Sequence, residues 1–334
     1  MDYQNFITRI VESVQEKLGE KYQVKITHIE KNNGVVLEGM IIREEESQIS
    51  PNIYLEYFYE RYREGESLEE IVEEILTMYQ DALIHSPVHP GELTELKKHE
   101  DNIFFRLVNY EMNRKFLEHV PHIRYLEFAI TFHCMLEKQE YGIQSFCINE
   151  TIRQEWGICV EKLFQLAKKN TPLLFPPQIQ SMEQMMYQIL DQDSKQMISG
   201  EKWFSTPNTS YFQGYEESLE KMLSDIQDSE DTFMYVMGNR SGIFGASVLL
   251  YPNVLERFAK RYEKNLYLLP SSIHEWIIVL EQEGFDEETL KDMVCEVNHT
   301  QVACDEVLSN QVYFYNKDTN RIESKEKAEM PVYG

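Results

Sequence analysis

The sequence predicts an α+β fold with mostly antiparallel sheets, arranged as two sheet-containing halves. Three observations lead there. Short apolar strands and amphipathic helices are mixed without a regular βαβ rhythm. Turn signals such as Asn33-Gly34 join neighbouring strands directly. The apolar fraction of 42% is an ordinary globular value, and 334 residues are enough for a sizeable core.

The elements follow in order. Tyr3, Phe6, Ile7, Ile10, Val14 and Leu18 recur at helical spacing, with Asp2 placed to cap and Gly19 to terminate. Tyr22, Val24 and Ile26 alternate as one face of a strand, and VVLEGMII returns after the Asn-Gly turn. PNIYLEYFYERYREG reads as a helix dense in aromatics, ended by Gly65. Ser67 and Glu70 form a capping box for the next helix, with Leu68, Ile71, Val72, Ile75 and Tyr79 inward. NIFFRLVN reads as a strand and YEMNRKFLEHV as a helix stopped by Pro121. YLEFAITFHCML and YGIQSFCI read as two strands. Asn149 caps a short helix closed by Gly157, and VEKLFQLAKKN is a further amphipathic helix.

The Pro176-Pro177 pair marks a boundary. SMEQMMYQIL is a Met-rich helix, and Asp191 to Gly214 reads as a long loop or insertion. TFMYVMGN and FGASVLLY read as a hairpin around Arg240-Ser241-Gly242, followed by the helix NVLERFAKRY. NLYLLP and WIIVLE are strands, Asp286 caps a helix through Val297, and QVYFYN is the final strand. This gives an N-terminal α+β half over 1–175, a helical and loop connector over 176–230, a C-terminal α+β half over 231–316 and a flexible tail over 317–334.

Composition narrows function. The formal net charge is −25, from 57 acidic against 32 basic residues, so the chain repels phosphates overall. Nucleic acid and anionic membrane surfaces are therefore not expected as partners. No apolar run reaches the roughly 20 residues of a membrane span, and the N-terminus lacks the basic start and apolar stretch of a signal peptide. Five cysteines, an odd number without a CxxC, suit reduced thiols in a cytoplasm.

The segment LLPSSIHEWIIV gathers Ser271, Ser272, His274 and Glu275, all residue types found in hydrolytic sites. Hydrolytic triads bring the base to the nucleophile from a distant part of the chain. Ser272 and Glu275 fit the S-x-x-E capping pattern, so a local turn is the leading reading and a catalytic set the alternative. HEWII lacks the second histidine of a zinc-protease motif, and the other histidines show no zinc spacing, so neither metal nor cofactor is expected. MGNRSGIFGA is no phosphate loop, because its glycine spacing is wrong and no Lys-Ser/Thr follows. Tyr54, Tyr57, Phe58 and Tyr62 are the best candidates for a binding surface, against a plainer reading in which their helix is packed between layers.

Several segments are distinctive together: RLVNYEMNRKFLEHVPHIRYLEFAITFHC, WGICVEKLFQLAKKNTP, LLYPNVLERFAKRYEKNLYLLPSSIHE and VNHTQVACDEVLSNQVYFY. With them the chain resembles a bacterial domain-of-unknown-function family encoded mainly by gut Firmicutes. The resemblance covers nearly the whole chain, least clearly from Asp191 to Glu230. It implies a bacterial cytoplasmic protein and transfers no catalytic residue. The leading expectation is a non-enzymatic binding or regulatory protein whose partner is another protein. The alternatives are a hydrolase-like enzyme using Ser271 or Ser272 with His274 and an acid, or an acidic factor that mimics nucleic acid.

Overall fold

The computed structural model describes residues 1–44, 52–84, 95–139, 142–188, 214–282 and 286–323. The chain divides into two compact units, Met1–Thr94 and Glu95–Gly334. The fold is α+β with antiparallel sheets, as expected. The division differs from the expected one. Pro177 does not begin a connector: it opens a strand of the largest sheet, so 176–230 belongs to the second unit.

In the first unit, helix α1 (Tyr3–Leu18) is followed by strands β1 (Tyr22–Glu30), β2 (Val36–Glu44) and β3 (Asn52–Tyr54), which form one antiparallel sheet. Helices α2 (Glu56–Glu64) and α3 (Leu68–Ile84) complete it. The caps form where the sequence puts them. Asp2 accepts from the Asn5 amide at 2.9 Å, and Ser67 and Glu70 exchange backbone hydrogen bonds as a capping box. The Asn33-Gly34 turn carries the two positive φ angles it needs, 60° and 69°, but within a five-residue loop between Glu30 and Val36. One core, including Phe6, Ile10, Met40, Ile42, Leu55, Phe58, Ile71 and Ile75, fills this unit.

The second unit holds two sheets. The four-stranded sheet has β6 (Phe128–Gln139) at its centre. One edge of β6 pairs with β4 (Ile103–Asn109). The other is shared end to end by β5 (His122–Tyr125) and β7 (Gly142–Cys147). The six-stranded sheet runs β13-β12-β10-β11-β9-β8, with β8 (Pro177–Ser181), β9 (Met234–Asn239), β10 (Leu266–Pro270), β11 (Trp276–Leu280), β12 (Tyr313–Asn316) and β13 (Arg321–Glu323). Alternation decides which side chains meet. Ile103, Phe105 and Leu107 from the first sheet share one core with Leu266, Leu268, Trp276 and Ile278 from the second. Phe128, Trp276 and Tyr313 join the two sheets, with ring centroids 5.4–5.8 Å apart. On the outer face of the larger sheet, Leu269 and Val279 pack on Leu290 and Val294 of the helix Glu287–Thr300.

Four local expectations are corrected. YEMNRKFLEHV is helical only over Arg114–Leu117, because Asn109 turns the chain by accepting from the Met112 amide at 2.9 Å. The helix Val160–Leu174 runs through Pro172, which lies in its last turn where little of the helix remains to be disturbed. FGASVLLY is not a strand: Gly245–Leu250 forms a 3₁₀ helix. Tyr54 lies on β3 and not on the aromatic helix. The loop read from Asp191 lies outside the described residues up to 213.

Candidate functional site

Ser271, Ser272, His274 and Glu275 lie in the hairpin loop between β10 and β11, where Pro270 faces Trp276 in register. No helix starts there, so the capping box does not form. The Ser272 hydroxyl instead accepts from the His274 amide at 3.0 Å, and the Ser272 amide donates to the Glu275 carbonyl at 3.3 Å. This is a serine turn closed inside a hairpin, built on the same hydroxyl-to-amide chemistry as a cap. Ser271 Oγ reaches the Glu275 carboxylate at 3.5 Å. Burial raises the Glu275 pKa, with His274 and Ser271 acting in opposition.

The imidazole is engaged elsewhere. His274 Nδ1 accepts from the Phe244 amide at 3.1 Å, and Nε2 lies 3.5 Å from Glu306. Neither serine hydroxyl reaches the ring, so the structure does not bring this tetrad together as nucleophile and base. Ser272→Ala should cost about 0.5–1.5 kcal/mol, one buried hydrogen bond's worth, without loss of the fold. Denaturant melts measure it, and an unchanged midpoint would remove the turn from this account.

The His274 bond leads to a second constellation. Phe244 has a left-handed backbone (φ 54°) that is costly for a non-glycine residue. It is held by its bond to His274 and by ring stacking on the same imidazole, with centroids 5.7 Å apart. The next residue must be glycine: a Cβ at Gly245 would stand 2.3 Å from the His274 carbonyl oxygen. So fixed, Phe244 lies over the Arg106 guanidinium, 3.5 Å from the ring centroid.

Arg106 is the one charged residue of IFFRLVN and points away from the main core. Its Nη2 donates to Ser145 Oγ at 2.8 Å, while Nε is closed to solvent with no hydrogen-bond partner. No carboxylate pairs with it among the described residues. Burial pushes its pKa down to about 9, and the guanidinium stays charged at neutral pH.

The register defines the surroundings. Arg106, Thr131 and His122 face one another across β4, β6 and β5, and Phe104, His133 and Cys147 form the adjacent row. Val108, Ala129 and Arg124 make the third row. Ser145 and Met135 extend the face beyond the second row. None of these positions carries a carboxylate, in a chain with 57 acidic residues. His133 Nε2 is 3.1 Å from Thr131 Oγ1, and its ring packs on Phe104. Burial first, and Arg106 second, hold the His133 pKa well below the ordinary 6.5. Burial pushes the Cys147 thiol up to about 11 despite Arg106, so it is a protonated thiol and not a nucleophilic thiolate.

A depressed histidine pKa has a definite linkage sign. The unfolded chain binds the proton first, so His133 contributes stability above about pH 6.5 that is lost as pH falls. The slope is at most about 1.4 kcal/mol per pH unit for one proton. His133→Asn should flatten the fall of urea midpoints between pH 6.5 and 5 relative to the parent. Identical slopes would contradict a neutral, buried His133.

The aromatic candidates separate by side. Phe58 is 2% exposed and Tyr57 53% exposed. Tyr62 packs its ring on Phe6 at 5.4 Å, and Tyr54 receives Lys31 Nζ at 3.8 Å. Arg106, Phe244, Ser145 and His133 were not found from the sequence. The available signal was a lone arginine inside an apolar strand. Among the described residues no group of three or more His, Cys, Asp or Glu is placed to hold a metal ion, and no helix is long and apolar enough to cross a membrane.

Fold and site define an α+β protein of three antiparallel sheets, with an arginine that has no carboxylate partner among the described residues and lies against the Phe244 ring. Residues 3–317 match the family described as "Family of unknown function (DUF5688)", and the chain belongs to that family. Searches of curated proteins and of solved structures return no match.

Proposed function

We propose that the chain is a non-enzymatic binding or regulatory protein of the bacterial cytoplasm. One observation carries this reading: both nitrogens of His274 are engaged by groups other than a nucleophile. Nδ1 holds the Phe244 amide and Nε2 faces Glu306. A hydrolytic base needs one nitrogen on the nucleophile and the other on its orienting group. Here the orienting positions are filled and the serines are used in the turn, which supports binding over hydrolysis. The charge of −25 favours a partner other than nucleic acid or an anionic membrane.

The test is covalent labelling of the intact protein with a fluorophosphonate probe, which reacts with activated serines. The expected result is no labelling above that of heat-denatured protein. Labelling that disappears in Ser271→Ala or Ser272→Ala would establish the hydrolase alternative instead.

A further inference from the structure

We infer that His274 is a proton-operated latch: while neutral it holds Phe244 over Arg106, and on taking a second proton it lets Phe244 go. The inference goes beyond the binding function proposed above and does not depend on it.

The first support is the direction of one hydrogen bond. The Phe244 amide donates to His274 Nδ1 at 3.1 Å, so the ring must offer a lone pair there. A neutral imidazole has one such nitrogen. The doubly protonated ring has none, because both nitrogens then donate. Turning the ring over does not restore the bond, since the other nitrogen is a donor too. Protonation therefore removes the acceptor whichever way the ring faces.

The second support is that the protonated ring has a partner of its own. Nε2 lies 3.5 Å from the Glu306 carboxylate, and the side chain is 28% exposed, so protons from solvent reach it. Glu275, the next residue, is the other acid that acts on the imidazole. The nearby cation is Arg106, which lies against the same Phe244 ring that stacks on His274. A charged imidazole and Arg106 place like charges on one phenyl ring, which adds to the release. Each state of the ring thus has its own bond, the Phe244 amide when neutral and Glu306 when charged.

The third support is what the bond restrains. Phe244 sits at φ 54°, a conformation that a non-glycine residue keeps only under constraint. Its neighbours are fixed by other contacts. The Asn239 side-chain amide holds the Ile243 carbonyl at 2.8 Å. The Ala246 amide bonds the Ile273 carbonyl at 3.2 Å, and the Ile273 amide bonds the Glu306 carbonyl at 2.8 Å. The His274 carbonyl is packed against Gly238 and Gly245. Imidazole and Glu306 therefore keep their places when the bond breaks, and the relaxation is confined to Phe244. Its ring then leaves the Arg106 guanidinium, which now lies 3.5 Å from the ring centroid.

The test is an NMR titration of the full chain from about pH 8 to about pH 5, the range in which histidine switches operate. The ¹⁵N shifts of the His274 ring report its charge. Overhauser contacts between the Phe244 ring and the Arg106 Nε–H, a proton closed to solvent, report the latch. These contacts should fade in step with protonation of the ring. His274→Gln supplies an acceptor that does not titrate, so in this variant they should persist throughout. The variant leaves His133 beside Arg106 untouched, and equal fading in it would assign the change to another group and overturn the inference. Contacts that persist in the parent once the ring is charged would overturn it as well. So would a ring that takes no second proton before the protein unfolds in acid. Where His274→Gln does not fold, the parent titration decides through the shared midpoint of ring shifts and contacts.

Discussion

Trp276→Ala should destabilise the second unit by about 3–5 kcal/mol, the upper range for loss of a buried aromatic side chain. Trp276 is fully buried and stands where the two sheets meet, against Phe128 and Tyr313. Its indole Nε1 also donates to the Ala246 carbonyl at 2.8 Å. Alanine therefore removes the packing and leaves a buried acceptor without its partner, and the two losses add. Trp276→Phe keeps most of the volume and loses the donor, so it should fall between parent and alanine. Urea midpoints of the three proteins test the order. Equal midpoints for Trp276→Phe and Trp276→Ala would mean that the hydrogen bond, and not the packing, sets the cost.

Phe58→Ala should cost the first unit a comparable about 3–5 kcal/mol, while Tyr57→Ala on the same helix should stay within about 1 kcal/mol. The contrast follows from the faces of α2. Phe58 enters the core with Ile71 and Ile75, and Tyr57 stands in solvent beside Arg61. The core that Phe58 enters draws on α1, β1, β2 and α3. Amide exchange in Phe58→Ala should accordingly quicken first in α1, β1, β2 and α3. Equal sensitivity at positions 57 and 58 would contradict the assigned faces.

What the sequence made legible was local chemistry. Asp2, Ser67 with Glu70, Asn149 and Asp286 all cap the helices expected of them, because a cap is decided within three residues. Ser272 and Glu275 show the limit. The same pattern that opens a helix closes a hairpin, and only the strand Trp276–Leu280 that follows distinguishes them. FGASVLLY has a strand's composition, but its backbone groups are claimed from outside. The Ala246 amide bonds the Ile273 carbonyl, and its carbonyl takes the Trp276 indole. A short apolar run does not encode such distant partners. Arg106 is visible in the sequence as a charge within IFFRLVN, yet the absence of an acid around it is a property of three strands brought into register.

The central claim is that His274 holds the Phe244 backbone and is not a catalytic base. Its tautomer tests this most directly, through the ¹⁵N shifts of the imidazole in the intact protein near neutral pH. The account predicts a bare Nδ1 that accepts the Phe244 amide and a protonated Nε2, with shifts unchanged in Ser271→Ala. Ser272→Ala should perturb them only slightly, through the turn. A protonated Nδ1 would contradict the bond to the Phe244 amide, and ring shifts that move strongly when either serine hydroxyl is removed would show the imidazole bonded to a nucleophile.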